Sequence, residues 1–271
     1  MIEITQIATQ TGGQEAPVSD KNSNPGGQVW VWLPGWSFAA TVFEPLYKAL
    51  PGTHLLVDYR CNESMTNATH TIAAQVPDNA IWCGWSLGGA LAQQICASKA
   101  HKALVTLGTG KRFIGSALNS DIVSATDSSI GSSTDSWGMP EPDFSAFKAA
   151  FEVNPAKTLK RFNALVTQGS PDARSLVRIL SAHQSEPSPE LTTTLSWLDY
   201  GPLPDVPEAL HLYGNGDALA PGGLTPATES AGNSHAFFLE EAGHQQLLVN
   251  LIKHLPLQNQ ELMNNKGDAH A

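Results

Sequence analysis

The chain is short of charge, of cysteine and of long apolar runs, and each shortage closes off a class of protein. Charged residues make up 15% of the 271 positions, well below the roughly 25% of an ordinary globular domain, so a surface rich in Ser, Thr, Asn and Gln is expected. Basic residues are in deficit: 15 Lys and Arg against 25 Asp and Glu leave a net charge of −10. That balance argues against general binding to nucleic acid or to anionic membrane, both of which need a basic excess. The three cysteines, Cys61, Cys83 and Cys96, are odd in number and have neither metal-ligand nor redox spacing. Two of them lie in segments expected to be buried, and a reduced, cytoplasmic protein is the simplest account. No stretch approaches about 18 uninterrupted apolar residues, and the N-terminus lacks a basic region, an apolar run and a cleavage site, so neither membrane insertion nor export is expected.

What is present is organised around Ala80–Ala90, a short apolar run that turns at Ser86 into a segment rich in Ala, Leu, Gln and Ile. Gly84-Trp85-Ser86-Leu87-Gly88 fits Gly-x-Ser-x-Gly, in which a serine sits on a strained strand-to-helix turn and flanking glycines keep side chains out of the bend. Five-residue patterns recur by chance, so the context decides: a strand before and a helix after are what the motif requires.

Around it, strands are expected at Val29–Leu33, His54–Asp58, Ala80–Trp85 and Ala103–Leu107, with helices at Phe43–Leu50, Thr69–Val76 and Leu87–Ala100. Met1–Thr9 reads as an edge strand and Gln10–Gln28 as a loop. This alternation of near-continuous apolar strands with helices indicates an α/β fold with a mostly parallel, doubly wound sheet. The alternation stops after Leu107: Lys111–Trp137 is rich in Ser, Thr, Gly and Asp, and Asp143 to about Leu195 is helical, before strands resume at Ala209–Tyr213 and His235–Glu240. The expected organisation is a core of residues 1–110 and 201–271 with a helical lid, 111–200, inserted in it. Three apolar stripes, Phe144/Phe147/Phe151, Leu159/Phe162/Val166 and Leu176/Val177/Leu180, either pack the lid on the core or line an acyl pocket. The tail from Pro256 is expected to fray.

A serine hydroxyl needs a base within hydrogen-bond reach, and the base needs an orienting carboxylate. Asp217 lies on a glycine-rich loop after the strand Ala209–Tyr213, and His244 on the loop after the strand expected at His235–Glu240. His235 falls at the far end of that expected strand, while His54 begins and His211 bisects its own, leaving His183 in the lid as the one rival. The order Ser86, Asp217, His244 is that of α/β-hydrolases. Donors for the developing oxyanion are the backbone N–H groups of Leu87, which opens the helix, and Trp36, on the turn after Val29–Leu33.

Taken together, Pro34-Gly35-Trp36, Gly84–Gly89, Ala103–Thr106, Tyr213–Asp217 and Ala242-Gly243-His244 resemble the α/β-hydrolase superfamily across nearly the whole chain. Ile81–Gly89, Ala103–Thr106 and Arg161–Gly169 resemble its branch of pimeloyl-acyl carrier protein methyl ester esterases of biotin synthesis. The resemblance implies a cytoplasmic, monomeric carboxylesterase with no metal or organic cofactor, acting on a chain carried by acyl carrier protein. It implies Ser86, Asp217 and His244 as triad, Trp36 and Leu87 as oxyanion donors, Phe162 as a substrate-pocket aromatic, and Lys157, Arg174 and Arg178 as basic lid residues facing the acidic carrier. Two stretches depart from the branch: Pro34-Gly35 replaces His-Gly, and Asp58–Ser64 replaces an Asp-x-Pro-Gly-x-Gly-x-Ser loop. Independently, Lys157–Arg178 holds five basic residues and one acidic, a local +4 within a chain of −10, which fits either a solvated face or an electrostatic dock. A broad small-ester esterase, a C–C hydrolase on the same triad and a non-catalytic binding module remain open at this point.

Overall fold

The computed structural model describes residues 2–9, 27–115, 138–219 and 228–255. Most of the loop expected at Gln10–Gln28, most of Lys111–Trp137 and the tail from Pro256 lie outside the described residues. In chain order, β1 (Glu3–Thr9) and β2 (Val29–Leu33) are followed by α1 (Glu44–Tyr47), β3 (Gly52–Asp58), α2 (Met65–Gln75), β4 (Ile81–Trp85), α3 (Leu87–Cys96) and β5 (Ala103–Leu107). A short pair, β6 (Ile114–Gly115) and β7 (Met139–Pro140), leads into four helices, α4 (Glu141–Val153), α5 (Pro155–Val166), α6 (Ala173–His183) and α7 (Pro189–Ser196). β8 (Leu210–Gly214), β9 (Thr228–Gly232) and α8 (Glu241–Ile252) follow.

One seven-stranded sheet runs in the order β1-β3-β2-β4-β5-β8-β9. Only β1 is antiparallel to its neighbour, and every other pairing is parallel. All five residues of β4 and of β5 are buried, which explains why these strands read as unbroken apolar runs instead of alternating ones: helices cover both faces. Trp30, Trp32, Trp82 and Trp85 are fully buried, each removing about 200 Å² from water, or roughly 5 kcal/mol of transfer free energy before entropy.

Three of the four helices between β5 and β8 start where their sequence provides a side-chain cap. Asn154, Asp172 and Ser188 each accept from a backbone N–H three residues on, satisfying donors that the first turn leaves free. Their apolar stripes turn inward: Phe144, Phe151, Leu159, Phe162, Val166, Leu176 and Leu180 are buried, with Phe147 and Val177 half-buried. The first two stripes meet at Trp36, whose ring receives Phe147, Phe151 and Phe162 edge-on at 5.8, 5.2 and 5.3 Å. Its indole N–H donates to Leu191 O at 3.0 Å. The insertion therefore roofs the loop that follows β2.

One expected strand is wrong. His235–Glu240 is not extended: Phe237–Leu239 forms a 3₁₀ turn, and the last strand is β9, one segment earlier. Phe237 and Phe238 owe their apolar character to packing, with Phe238 5.1 Å from the Trp85 ring and 5.3 Å from Phe43. β9 escapes a hydrophobicity reading because it is a polar edge strand, Thr-Glu-Ser-Ala-Gly, with Glu229 and Ser230 exposed.

Candidate active site

Ser86 joins β4 to α3 with φ 53° and ψ −120°, a conformation most side chains avoid. Backbone contacts hold it there: Ser86 N–H donates to Leu107 O at 2.8 Å, and Thr109 Oγ1 donates to Ser86 O at 2.9 Å. A Cβ at Gly88 would run into the carbonyl oxygens of Leu33 and Pro34, so glycine lets the loop after β2 lie directly on the first turn of α3. Leu87, the first residue of that helix, has no intrahelical acceptor for its N–H. Cys83, three residues upstream, is no rival nucleophile, because burial pushes its thiol far above the ordinary range.

Asp217 sits in the tight loop after β8, where Asn215 N–H and Gly216 N–H donate to Gly232 O and Asn233 O at 2.8 and 2.7 Å. Its Oδ1 accepts from Leu219 N–H at 2.8 Å, and its Oδ2 accepts from Nδ1 of His235 at 2.7 Å. The His235 and Asp217 side chains are 1% and 2% exposed. Because the carboxylate accepts at Nδ1, the proton sits there and Nε2 carries the lone pair; Nε2 is buried without a partner among the described residues. The His235 ring lies 5.7 Å from that of Trp85, and a Cβ on Gly108 would come within 2.8 Å of it. His235 thus packs against Trp85, the residue before Ser86.

The expectation that His244 partners Asp217 is corrected by this geometry. His244 lies in the first turn of α8, half-buried, on a cavity of about 340 Å³ lined with Pro45, Ile179, Leu239, Glu241 and Gln245. With β9 ending at Gly232, it is His235 that follows the strand's C-terminal end. The turn-forming Gly232-Asn233-Ser234 before it was the available signal. His183 is occupied elsewhere, its Nδ1 bonded to Thr41 Oγ1 at 2.9 Å.

Glu240, unnoticed in the sequence, fastens the His235 loop. Its Oε1 accepts from Ser234 N–H and Oγ at 2.9 and 2.7 Å, and its Oε2 from Asn233 N–H and Nδ2 at 3.2 and 3.0 Å. The other expected residues are distributed as follows. Trp36 and Phe162 are buried beside the elbow, Phe162 also 6.2 Å from Phe38, itself 4.9 Å from Trp85. Lys157, Arg174 and Arg178 are exposed on α5 and α6. The departing Asp58–Ser64 loop forms a brace: Arg60 grips the Asp58 carboxylate and donates to Ser185 Oγ at 3.0 Å. Burial alone would raise the Asp58 pKa, but the guanidinium outweighs it and holds the carboxyl below its ordinary value. Among the described residues, no cluster of three or more His, Cys, Asp or Glu side chains could hold a metal ion, and no helix is long and apolar enough to cross a membrane.

Among curated proteins, the chain is 30% identical over 252 residues to the biotin biosynthesis bifunctional protein BioHC of Saccharophagus degradans, covering 84% of this chain and 42% of that one. It spans less than half the length of that relative. It is also 30% identical over 213 residues to the pimeloyl-[acyl-carrier protein] methyl ester esterase of Pectobacterium carotovorum, covering 70% of this chain and 76% of that one. Among solved structures, an esterase from Exiguobacterium antarcticum superposes with a TM-score of 0.65 at 16% identity over 93% of this chain and 94% of that one, which shows the shared fold. The sequence profile of the alpha/beta hydrolase family matches residues 30–252, and the chain belongs to that family.

Proposed function

We propose that the protein is a serine carboxylesterase in which Ser86 is the nucleophile, His235 the base and Asp217 the group that orients it. The observation that carries this reading is the buried 2.7 Å bond from His235 Nδ1 to Asp217, leaving Nε2 unpartnered beside the elbow. Ser86 Oγ attacks the ester carbonyl as its proton passes to Nε2; the N–H groups of Leu87 and Trp36 stabilise the oxyanion. Collapse breaks the acyl–oxygen bond, and Nε2 returns the proton to the departing alcohol. Water then adds to the acyl-enzyme with Nε2 again taking a proton, which passes to Ser86 Oγ as the carboxylic acid leaves.

The finer reading is that the ester is the methyl ester of a pimeloyl chain on acyl carrier protein, in the cytoplasm, with methanol as leaving group. Relatives bearing that activity in their names support it. So does the charge of the insertion, proposed as a lid: Lys157, Lys160, Arg161, Arg174 and Arg178 are all exposed while Leu159, Phe162, Leu176 and Leu180 point inward, a basic face suited to steering an acidic carrier. Phe162 is proposed to flank the acyl chain.

The test is covalent labelling of Ser86 by a fluorophosphonate, fast in the native protein, lost in His235→Ala and retained in His244→Ala. Turnover of pimeloyl-carrier methyl ester is then compared with p-nitrophenyl acetate. Neutralising Arg174 and Arg178 should slow only the carrier-bound ester; equal slowing of both would sink the docking reading, and no labelling at all would sink the esterase.

A further inference from the structure

Ser37 is held in a conformation that serine avoids and keeps its hydroxyl unbonded in a buried place. It follows Trp36 in the turn closed by Phe38 N–H donating to Gly35 O at 3.2 Å, and its φ is 69°. A positive φ at the third position of such a turn is normally met by glycine or asparagine. The residue is 3% exposed, and Oγ has no hydrogen-bond partner among the described residues. A buried unsatisfied hydroxyl is destabilising, so two separate liabilities meet at one residue.

Structural duty does not explain them. Ser37 anchors the insertion through its main-chain carbonyl, which accepts from Ser185 N–H at 2.8 Å, and glycine would do this equally well without strain. The location is informative instead. Four buried side-chain polar atoms among the described residues lack a partner: Ser37 Oγ, His235 Nε2, Trp82 Nε1 and Asn250 Nδ2. The first two belong to the loop after β2, which lies on the first turn of α3 and against the Trp85 ring, and to the loop that the Trp85 indole holds, and His235 Nε2 is the atom proposed to take the Ser86 proton.

We propose that Ser37 is a further catalytic residue, its hydroxyl donating to the carbonyl oxygen of the bound ester as a third donor beside the N–H groups of Trp36 and Leu87. This rests on the esterase reading above. No proton is transferred; the O–H shortens its contact as the carbonyl oxygen gains charge, so the interaction is stronger in the tetrahedral state than on the substrate.

The experiment compares wild type, Ser37→Ala and Ser37→Gly in steady-state hydrolysis of p-nitrophenyl butyrate, inhibition by an alkyl trifluoromethyl ketone, and thermal unfolding. The ketone adds to Ser86 and mimics the tetrahedral state. Both variants should lose about 10- to 100-fold in kcat, up to the loss expected for one oxyanion donor, with KM within about twofold and the ketone Ki raised by the same factor as kcat/KM falls. Ser37→Gly, freed of the strained Cβ, should unfold no earlier than wild type. Wild-type kcat and Ki in either variant would overturn the proposal, as would a loss of kcat with a lowered Tm and an unchanged ketone Ki. Wild type that neither hydrolyses the ester nor labels with a fluorophosphonate would instead overturn the esterase reading itself, and Ser37's role with it.

Discussion

The indole N–H of Trp85 donates to the main-chain carbonyl of His235 at 3.0 Å. Trp85 is the residue immediately before Ser86 and ends β4, so the strand that presents the proposed nucleophile also anchors the loop that presents the proposed base. A rigid, buried indole thereby ties the two loops together, beside the Glu240 and Asp217 bonds that hold the same loop. Trp85→Phe keeps most of the ring and deletes the donor, leaving a buried carbonyl unsatisfied at a cost of about 1–3 kcal/mol. The expected outcome is a kcat about tenfold lower at near-constant KM, with Tm lower by roughly 2–4 °C for each kcal/mol lost. A variant with reduced Tm but native kcat would show that the bond serves stability alone.

The assignment of the base predicts a sharp difference between two histidines. His235→Ala should lower kcat by about 10⁴-fold or more, and Asp217→Asn by about 10⁴-fold through the wrong tautomer. His244→Ala, on a half-buried helical turn and not among the hydrogen-bond partners of the Asp217 carboxylate, should stay within about threefold of wild type. Side-by-side kinetics on one chromogenic ester decide it; the opposite ranking would return the base to α8.

Which parts of this site the sequence disclosed depends on how strongly each residue's surroundings mark the chain. The elbow was legible because its constraints are local: a Cβ on Gly84 would run into Gly88 O and Gly89 N, a few residues on, and the strand before Ser86 is apolar throughout. Asp217 was legible because a glycine-rich loop followed a well-marked strand. His235 was misread because period and hydrophobicity cannot distinguish a buried 3₁₀ turn, Phe237–Leu239, from a strand, whereas β9 is polar and pairs on one side only. Moving the strand by one segment moved the expected base to His244 from the now proposed His235. Gly108 carries the same lesson: its φ of 57° and its closeness to the His235 ring come from two chain segments far apart in sequence, which no local pattern records.

Glu240 offers a test of how tightly the His235 loop must be held. One carboxylate accepts four hydrogen bonds from Asn233 and Ser234, and hydrogen bonds to a charged acceptor contribute about 1.5–3 kcal/mol apiece at most. Glu240→Gln places an NH₂ donor against one of those pairs, and Glu240→Ala removes the acceptors altogether. Activity should fall in the order wild type, Gln, Ala, with kcat affected and KM little changed, and hydrogen exchange at the Ser234 and His235 amides should accelerate in the same order. Native exchange rates in Glu240→Ala would show that the loop is held by other contacts.

Stability towards acid should be set partly by His54, far from the proposed chemistry. It is fully buried in β3, accepts at Nδ1 from the Trp32 indole N–H at 3.1 Å, and has Leu50 O at 3.1 Å and Thr9 Oγ1 at 2.9 Å from Nε2. Trp32 can only donate, so a second ring proton at Nδ1 would face a donor, and burial pushes the pKa down from 6.5 to about 4. Between those two values the unfolded chain binds a proton that the folded protein refuses. Its stability contribution is therefore complete above the unfolded pKa and is lost as pH falls from 6.5 to about 4, a span worth about 3 kcal/mol. His211, whose pKa burial also lowers, acts with the same sign. Wild-type Tm should drop steadily between pH 7 and pH 4, by about 2–4 °C per kcal/mol. His54→Gln can still accept from Trp32 and donate to Leu50 without titrating, so it should start lower at pH 7 and show a flatter profile. Parallel Tm curves for the two proteins across that range would mean that another group governs acid unfolding.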